Sequence, residues 1–402
     1  MVFRKKNNGW ILAGALLAAS GGAMASGFGL LEQNASGLGN SYAGGAAAAE
    51  DASTIFFNPA GMTRLKGKQL LVAANGIQPT IKFSGTGQPG TDMGGDAGRL
   101  AVVPSGYFAM EINPQWRVGV GFGVPFGLQT EYSPTWVGRA HAIKSKIETI
   151  NLNPSVAYQV NDSVSLGAGI NYQRIRGELT SAVGTSTSSM TGSDSAWGYN
   201  FGALVNVSPS TRVGVAYRSD ISYNLNGRVN FTAPLAFLSG PASLAVKMPA
   251  SFSASVFHQI DSKWDVMADA TWVGWSVFKE LRVRRPSGAA IPPVPENWHD
   301  TWRVSVGGNY HYNDQWTSRM GMAYEQTPVP DAYRTARIPD NTRLEIAFGG
   351  QYKPNRDSAI DFGYAHLFIN NASINSTIAA PALTGTYTGS VDILGVQYAY
   401  GF

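Results

Sequence analysis

The side chains that could carry covalent or metal chemistry are few in this chain and poorly placed. It has five histidines and no cysteine, so no thiolate exists for nucleophilic attack, soft-metal binding or a disulfide framework. No histidine falls in an HExxH pattern or a triad-like arrangement. His141 shortly precedes Ser145, which would suit a lipase pair, but a motif without its structural context rarely carries chemistry. Calcium needs clustered carboxylates, and none are clustered. No catalytic residue, metal or cofactor is therefore expected. What remains is ionic and apolar. Arg303, Arg319, Glu325, Arg343, Glu345 and Asp361 share one side of alternating segments, where enclosed charges usually form structural pairs, and Glu50 and Asp51 are placed to reach such arginines. Leu235, Phe237 and Leu238 cluster in the connection over 232–245, and exposed apolar clusters commonly mark binding surfaces.

Composition narrows the frame that must hold these residues. Charged residues are 14%, against roughly 25% in soluble domains, while glycine numbers 47 and aromatics reach 11%. Arg4, Lys5 and Lys6, an apolar run over 11–19 and Ala23-Met24-Ala25 have the form of a secretory signal peptide, residues 1–25. Its removal would take three of the 30 basic residues and leave 27 against 26 acidic ones, a net charge of +1. So small a charge gives no basis for nucleic-acid binding. The remaining chain has no run of the roughly 18 apolar residues that a helical span needs. An exported, weakly charged, glycine- and tyrosine-rich chain of this kind points to an outer-membrane β-barrel, with a secreted β-sandwich as the competing architecture.

Alternation suits the barrel without alone excluding the sandwich, and the signal peptide with the terminal Tyr398-Ala399-Tyr400-Gly401-Phe402 favours the barrel. Fourteen strand-like segments follow residue 66, joined alternately by tight turns such as Asn113-Pro114, Asn161-Asp162 and Asn313-Asp314 and by seven longer connections. Trp316, Met320, Met322 and Tyr324 alternate with Thr317, Arg319, Ala323 and Glu325, a period of two that suits lipid on one face and a polar lumen on the other. The segments include 116–124, 163–178, 196–207, 211–231, 246–260 and 263–283. In the first of these, Val118, Val120, Phe122 and Val124 are expected to face lipid, and Gly119, Gly121 and Gly123 to project nothing into the lumen. Something must fill that space. The small, flexible stretch over 26–65 is the sizeable remainder, so it is placed inside as a plug, with Asn58-Pro59-Ala60 as a stiff corner near its end. The expected architecture is all-β: a fourteen-stranded antiparallel transmembrane barrel over 67–402, closed by an N-terminal hatch over 26–66. Pro125 cannot donate to a ladder and Gly127 permits a bend, so Pro125-Phe126-Gly127 is expected to break the wall and open it sideways.

Four blocks spread along the chain resemble the FadL/TodX family of outer-membrane channels for hydrophobic compounds. They are SGFGLLEQNASGLGNSYAGGAAAAEDASTIFFNPAG, PFGLQTEYSPTWVGRAHAIKSKIETINLNPSVAYQVND, VGVAYRSDISYNLNG and TPVPDAYRTARIPDNTRLEIAFGGQY, in the family's order. The resemblance implies a hatched fourteen-stranded barrel in the outer membrane of a Gram-negative bacterium. Passive uptake of long-chain fatty acids is the leading activity, with aromatic hydrocarbons as the alternative and an outer-membrane lipid enzyme behind both. Asn58-Pro59-Ala60 matches the family's hatch motif, Phe28 an apolar residue that closes the high-affinity pocket, and Pro125-Phe126-Gly127 the kinked strand beside which substrate leaves. Outward loops carrying Leu235, Phe237 and Leu238 correspond to a first, low-affinity groove. The two basic residues that approach a bound carboxylate in the family's best-known channel align with Ser181 and Val294, neither of them basic. The terminal Phe402, after Tyr398 and Tyr400, resembles the signal read by the barrel-assembly machinery, and the barrel is expected to be a monomer in outer-membrane lipid.

Overall fold

The computed structural model describes residues 26–402 apart from 91, 289 and 290; the expected signal peptide lies outside the described residues. Alternating apolar and polar positions produce fourteen barrel strands: β1 (Lys68–Thr86), β2 (Ala101–Glu111), β3 (Trp116–Gly123, continued by Gly127–Glu131), β4 (Lys144–Gln159), β5 (Val164–Val183), β6 (Ser186–Ser208), β7 (Thr211–Arg218, continued by Ile221–Phe231), β8 (Gly240–Met248, continued by Ser251–Gln259), β9 (Trp264–Val273), β10 (Thr301–His311), β11 (Trp316–Glu325), β12 (Arg343–Asn355), β13 (Ser358–Ile369) and β14 (Leu383–Gly401). Each pairs antiparallel with its neighbour, and β1 pairs with β14 from Gln69↔Gly401 to Thr86↔Thr384. The sheet thereby closes on itself and leaves no free edge, as a strand-built membrane protein requires.

The two faces divide as the alternation implies. Trp316, Met320, Met322 and Tyr324 are exposed on the outer wall, while Arg303, Arg319, Arg343 and Asp361 are buried inside. The inner charges are paired: Arg303 with Glu345 at 2.9 Å, Arg319 with Asp361 at 3.1 Å and Arg343 with Glu325 at 3.8 Å. Glu50 reaches Arg319 at 2.7 Å. Asp51 does not meet an arginine; its carboxylate accepts from Gln397 and Ser36 at 2.8 Å each, a neutral anchorage between hatch and wall.

Several boundaries differ from the sequence expectation. The connection over 179–195 is no loop: β5 and β6 both continue through it to a two-residue turn at Gly184-Thr185, with Gly184 at φ 60° as such a turn requires. Its serine- and threonine-rich stretch carries no apolar alternation, yet it satisfies its backbone as a two-stranded ribbon. β7 and β8 are interrupted together at 219–220 and 249–250, where Pro249 has no proton to give the ladder. β9 stops at Val273, not near 283, because Trp275 and Phe278 turn inward and are buried. The apolar connection is 232–239, shorter than expected, since β8 begins at Gly240.

Residues 26–65 lie within the barrel. Gly119 and Gly121 face Ile55 of the hatch, and Gly123 faces Gln33, so side chains from the N-terminal segment fill what the glycines leave empty. Closer still, an added Cβ at Gly202 would stand 1.9 Å from Asn58 Oδ1, one at Gly214 1.9 Å from Ala46 O, and one at Gly167 2.3 Å from the Ala60 nitrogen. The wall is therefore stripped of side chains where the hatch backbone seats.

Asn58 locks that seat. Fully buried, it caps the 3-10 turn over Pro59–Arg64 by accepting from Ala60 N at 3.1 Å, and its Nδ2 donates to Ala46 O at 2.6 Å and Ala203 O at 3.0 Å. Asn58→Ala is expected to loosen the hatch by about 2–3 kcal/mol, since it removes a cap and strands two buried carbonyls. Hydrogen exchange should show amides of the hatch exchanging roughly 30–150-fold faster, with the barrel strands unchanged.

Candidate functional site

The break expected in β3 is present, and it begins one residue earlier than the sequence suggests. Gly123 pairs with Asn151 and Gly127 with Glu148 on β4, leaving Val124, Pro125 and Phe126 opposite only two residues. Toward β2, pairing ends at Gly106↔Phe122, so Ala101 to Ser105 pair with β1 on one edge and have no strand on the other. Val124 accordingly does not face lipid. It turns inward and is buried, with Gln33 Nε2 donating to its carbonyl at 2.8 Å and Gln33 Oε1 accepting from its N–H at 3.2 Å. An unpaired backbone group in lipid would cost several kcal/mol, so the hatch supplies the missing partners. Leu30 N donates to Pro125 O at 2.8 Å, Gly127 N to Phe28 O at 2.9 Å, and Gly29 stands directly opposite Phe126 as a one-rung antiparallel bridge.

Phe28, fully buried, sits at the end of this rung. Its ring meets Trp275 at 4.7 Å, Trp298 at 5.6 Å, Phe278 at 5.7 Å and Phe126 at 6.2 Å between centroids. Upstream, Gly27 N is held by Asp340 Oδ2 at 3.1 Å and Ser26 Oγ donates to Gln326 O at 2.7 Å. So anchored, the ring packs on Phe126 and Trp275, which line a lower cavity, and on Phe278, which lines an upper one. The lower is lined by Leu30, Pro125, Phe126 and Trp275 and abuts the broken strand. The upper is lined by Leu128, Ile147, Ile175, Leu225, Leu244 and Phe278 and has an almost wholly apolar surface.

Two ionisable side chains line the upper cavity, Arg337 and Glu296. Arg337, in the 326–342 connection, spends Nη1 on neutral acceptors: Ser145 Oγ at 3.2 Å and the carbonyls of Lys144 and Thr180 at 3.4 Å. No carboxylate neutralises it among the described residues. Burial lowers its pKa to about 10, with Glu296 and Tyr132 opposing the drop, and the guanidinium stays charged at neutral pH. Sequence reasoning looked for a cation at Ser181 and Val294 and missed it. Val294 lies in a short ribbon against Leu281, and Ser181 pairs with Ser188 high on the β5–β6 ribbon. The available signal was an arginine between apolar neighbours in TARIPD, whose one acid, Asp340, pairs with Arg343 in the fold.

The other candidates are scattered. His141 does not meet Ser145; its ring nitrogens face Ser376 Oγ at 3.3 Å and Pro381 O at 3.0 Å, and burial lowers its pKa. Asn58, Pro59 and Ala60 hold the hatch to the wall, away from Phe28. Phe237 is 79% exposed and Leu238 also exposed on a loop tip, with Leu235 half-buried beneath them.

Comparison with known proteins places this geometry. A family model described as outer membrane protein transport protein (OMPP1/FadL/TodX) matches residues 16–402. The long-chain fatty acid transport protein of Escherichia coli K12 is 28% identical, covering 97% of this chain and 98% of its own length. The outer membrane protein P1 of Haemophilus influenzae is 30% identical over 90% of each chain. Among solved structures, a Pseudomonas aeruginosa FadL homologue superposes with a TM-score of 0.87 at 28% identity, covering 94% of this chain and all of that one. The Ralstonia pickettii toluene transporter TbuX, at 20% identity and a TM-score of 0.68, shares the fold. The match of the family model over nearly the whole sequence, with the closed barrel and its broken third strand, shows that the chain belongs to the OMPP1/FadL/TodX family of outer-membrane transport proteins.

Proposed function

We propose that the protein is a passive uptake channel for long-chain fatty acids, gated by its hatch and emptied sideways into the membrane. One observation carries the choice of substrate: an apolar cavity walled by leucine and isoleucine has Arg337 in its lining, a guanidinium with no carboxylate paired to it among the described residues. A fatty acid supplies both missing parts, a chain for the walls and an anion for Arg337. A plain hydrocarbon would leave the buried charge uncompensated. The exposed apolar tip of Leu235, Phe237 and Leu238 serves as a first collecting surface. Phe28 partitions the upper cavity from the lower, and the lower opens at Pro125-Phe126-Gly127 when the Gly29 rung shifts. Leaving sideways keeps the chain in an apolar medium, whereas crossing a polar lumen into water would forfeit about 0.8 kcal/mol per CH₂.

Nothing in this path requires covalent chemistry, and the protein is read as a channel, not an enzyme. Barrel closure by β1 and β14 suits a monomer, and Phe402, exposed at the end of β14, suits recognition by the barrel-assembly machinery. Residues 1–25 act as the export signal in this reading.

The test is binding to purified protein in detergent. Arg337→Gln is expected to weaken oleate binding by about 10–100-fold, the range of one charge-assisted hydrogen bond, and to change hexadecane binding by less than about twofold. Equal losses for both ligands, or tighter binding of toluene than oleate by the unaltered protein, would reject the fatty-acid assignment.

A further inference from the structure

We infer that Glu296 is a second head-group ligand of the upper cavity, donating a hydrogen bond from a neutral carboxyl to the substrate carboxylate that Arg337 attracts. This rests on the fatty-acid reading above and adds to it a proton that the site must hold. Glu296 directly follows Val294–Pro295, the short ribbon strand that pairs with Glu280–Leu281, and is 1% exposed. Its Oε2 accepts from the Trp298 indole N–H at 3.1 Å. Its Oε1 is buried with no partner, although the residue lines the cavity. A buried carboxyl oxygen left unpaired beside a binding space is costly unless a ligand completes it.

The protonation state follows from the surroundings. Among the described residues no ion pair joins Glu296 to Arg337 or to any other cation, and Lys279 meets it only through the backbone, where Glu296 N donates to Lys279 O at 2.8 Å. One indole N–H is a poor substitute for the water that an ionised carboxylate loses. Burial therefore pushes the Glu296 carboxyl up to about 8, against the smaller opposing pulls of the Trp298 hydrogen bond and the Arg337 charge. At neutral pH the group is a donor, and Oε1 is the oxygen free to use it. Donor and guanidinium together suit a carboxylate, with one proton shared between two carboxyl groups and one positive charge beside them. Above pH 8 the ionised side chain repels the same ligand. The sign is fixed: affinity is present below about 8 and lost above it.

Titration calorimetry of oleate into the full barrel in detergent, from pH 6.5 to 9.5, tests this. Affinity is expected to stay level to about pH 7.5 and then fall about tenfold per pH unit above 8, the slope of one required proton. Repeating the titration at pH 8.5 in buffers of different ionisation enthalpy should show uptake of most of one proton on binding, a readout that a merely structural glutamate would not move. Glu296→Gln, whose amide can both accept from Trp298 and donate into the cavity, is expected to bind oleate with a flat profile and no proton uptake. Binding to the unaltered barrel without proton uptake, or a glutamine variant that keeps the full pH dependence, would overturn the assignment of Glu296 alone. Failure of oleate to bind at any pH would overturn it together with the fatty-acid reading.

Discussion

A Gly202→Val barrel is expected to assemble and to leak. Its new Cβ would lie 1.9 Å from Asn58 Oδ1 and 3.1 Å from the Pro59 ring, and neither can yield: Asn58 is held by Ala46, Ala60 and Ala203, and proline has no rotamer to change. Overpacking in a core commonly costs about 1–3 kcal/mol when side chains can shift, and more where backbone is met. The hatch, attached to the wall through a limited set of hydrogen bonds and ion pairs, is the part that moves. The wall itself is unaffected, because its ladders run from strand to strand. Heat-dependent gel mobility should therefore persist, while ion conductance in planar bilayers rises on the order of tenfold or more as the polar lumen opens. Conductance unchanged from the parent, with the barrel folded, would contradict the seating of Asn58-Pro59-Ala60 against this glycine.

What the residues disclosed in advance, and what they concealed, divides by the range of the interaction involved. Alternation is a property of neighbours in sequence, so Trp316 to Tyr324 disclosed their faces, and the glycines at 119, 121 and 123 disclosed that a filling was needed. The break at Pro125 was equally local, since a missing proton and a flexible glycine can be seen in three letters. The inward turn of Val124 could not be seen, because it depends on Gln33, ninety-one residues away along the chain. The extension of β5 and β6 into a ribbon was hidden for the reverse reason: outside lipid a strand needs no apolar face, and the periodicity that marks strands was absent. Arg337 and Glu296 come from two different connections and come to line one cavity only when the barrel is closed. A charged residue in a loop is ordinary in sequence; it becomes informative when the fold buries it without an ion-pair partner.

Locking the hatch to the broken strand is expected to stop transport without stopping binding. Gly29 and Phe126 face each other between two hydrogen bonds, Leu30 N to Pro125 O at 2.8 Å and Gly127 N to Phe28 O at 2.9 Å, the arrangement of a non-hydrogen-bonded antiparallel pair. Such pairs bring Cα atoms to about 4.5 Å, within the range a disulfide spans. A Cβ at Gly29 has ordinary room, its nearest neighbour being Trp275 at 3.7 Å, and the chain has no cysteine of its own to compete. In Gly29→Cys/Phe126→Cys the bond would pin the rung that holds Phe28 between the cavities and supplies partners to the gap. Oleate should still reach Arg337 in the upper cavity, because that cavity lies on the other side of Phe28. The decisive measurement is oleate uptake by cells carrying this double variant, oxidised and then reduced. Uptake that falls to the level of cells without the channel when the bond forms, and returns on reduction, is the predicted result; equal uptake in both states, with the disulfide shown to be formed, would contradict gated sideways exit.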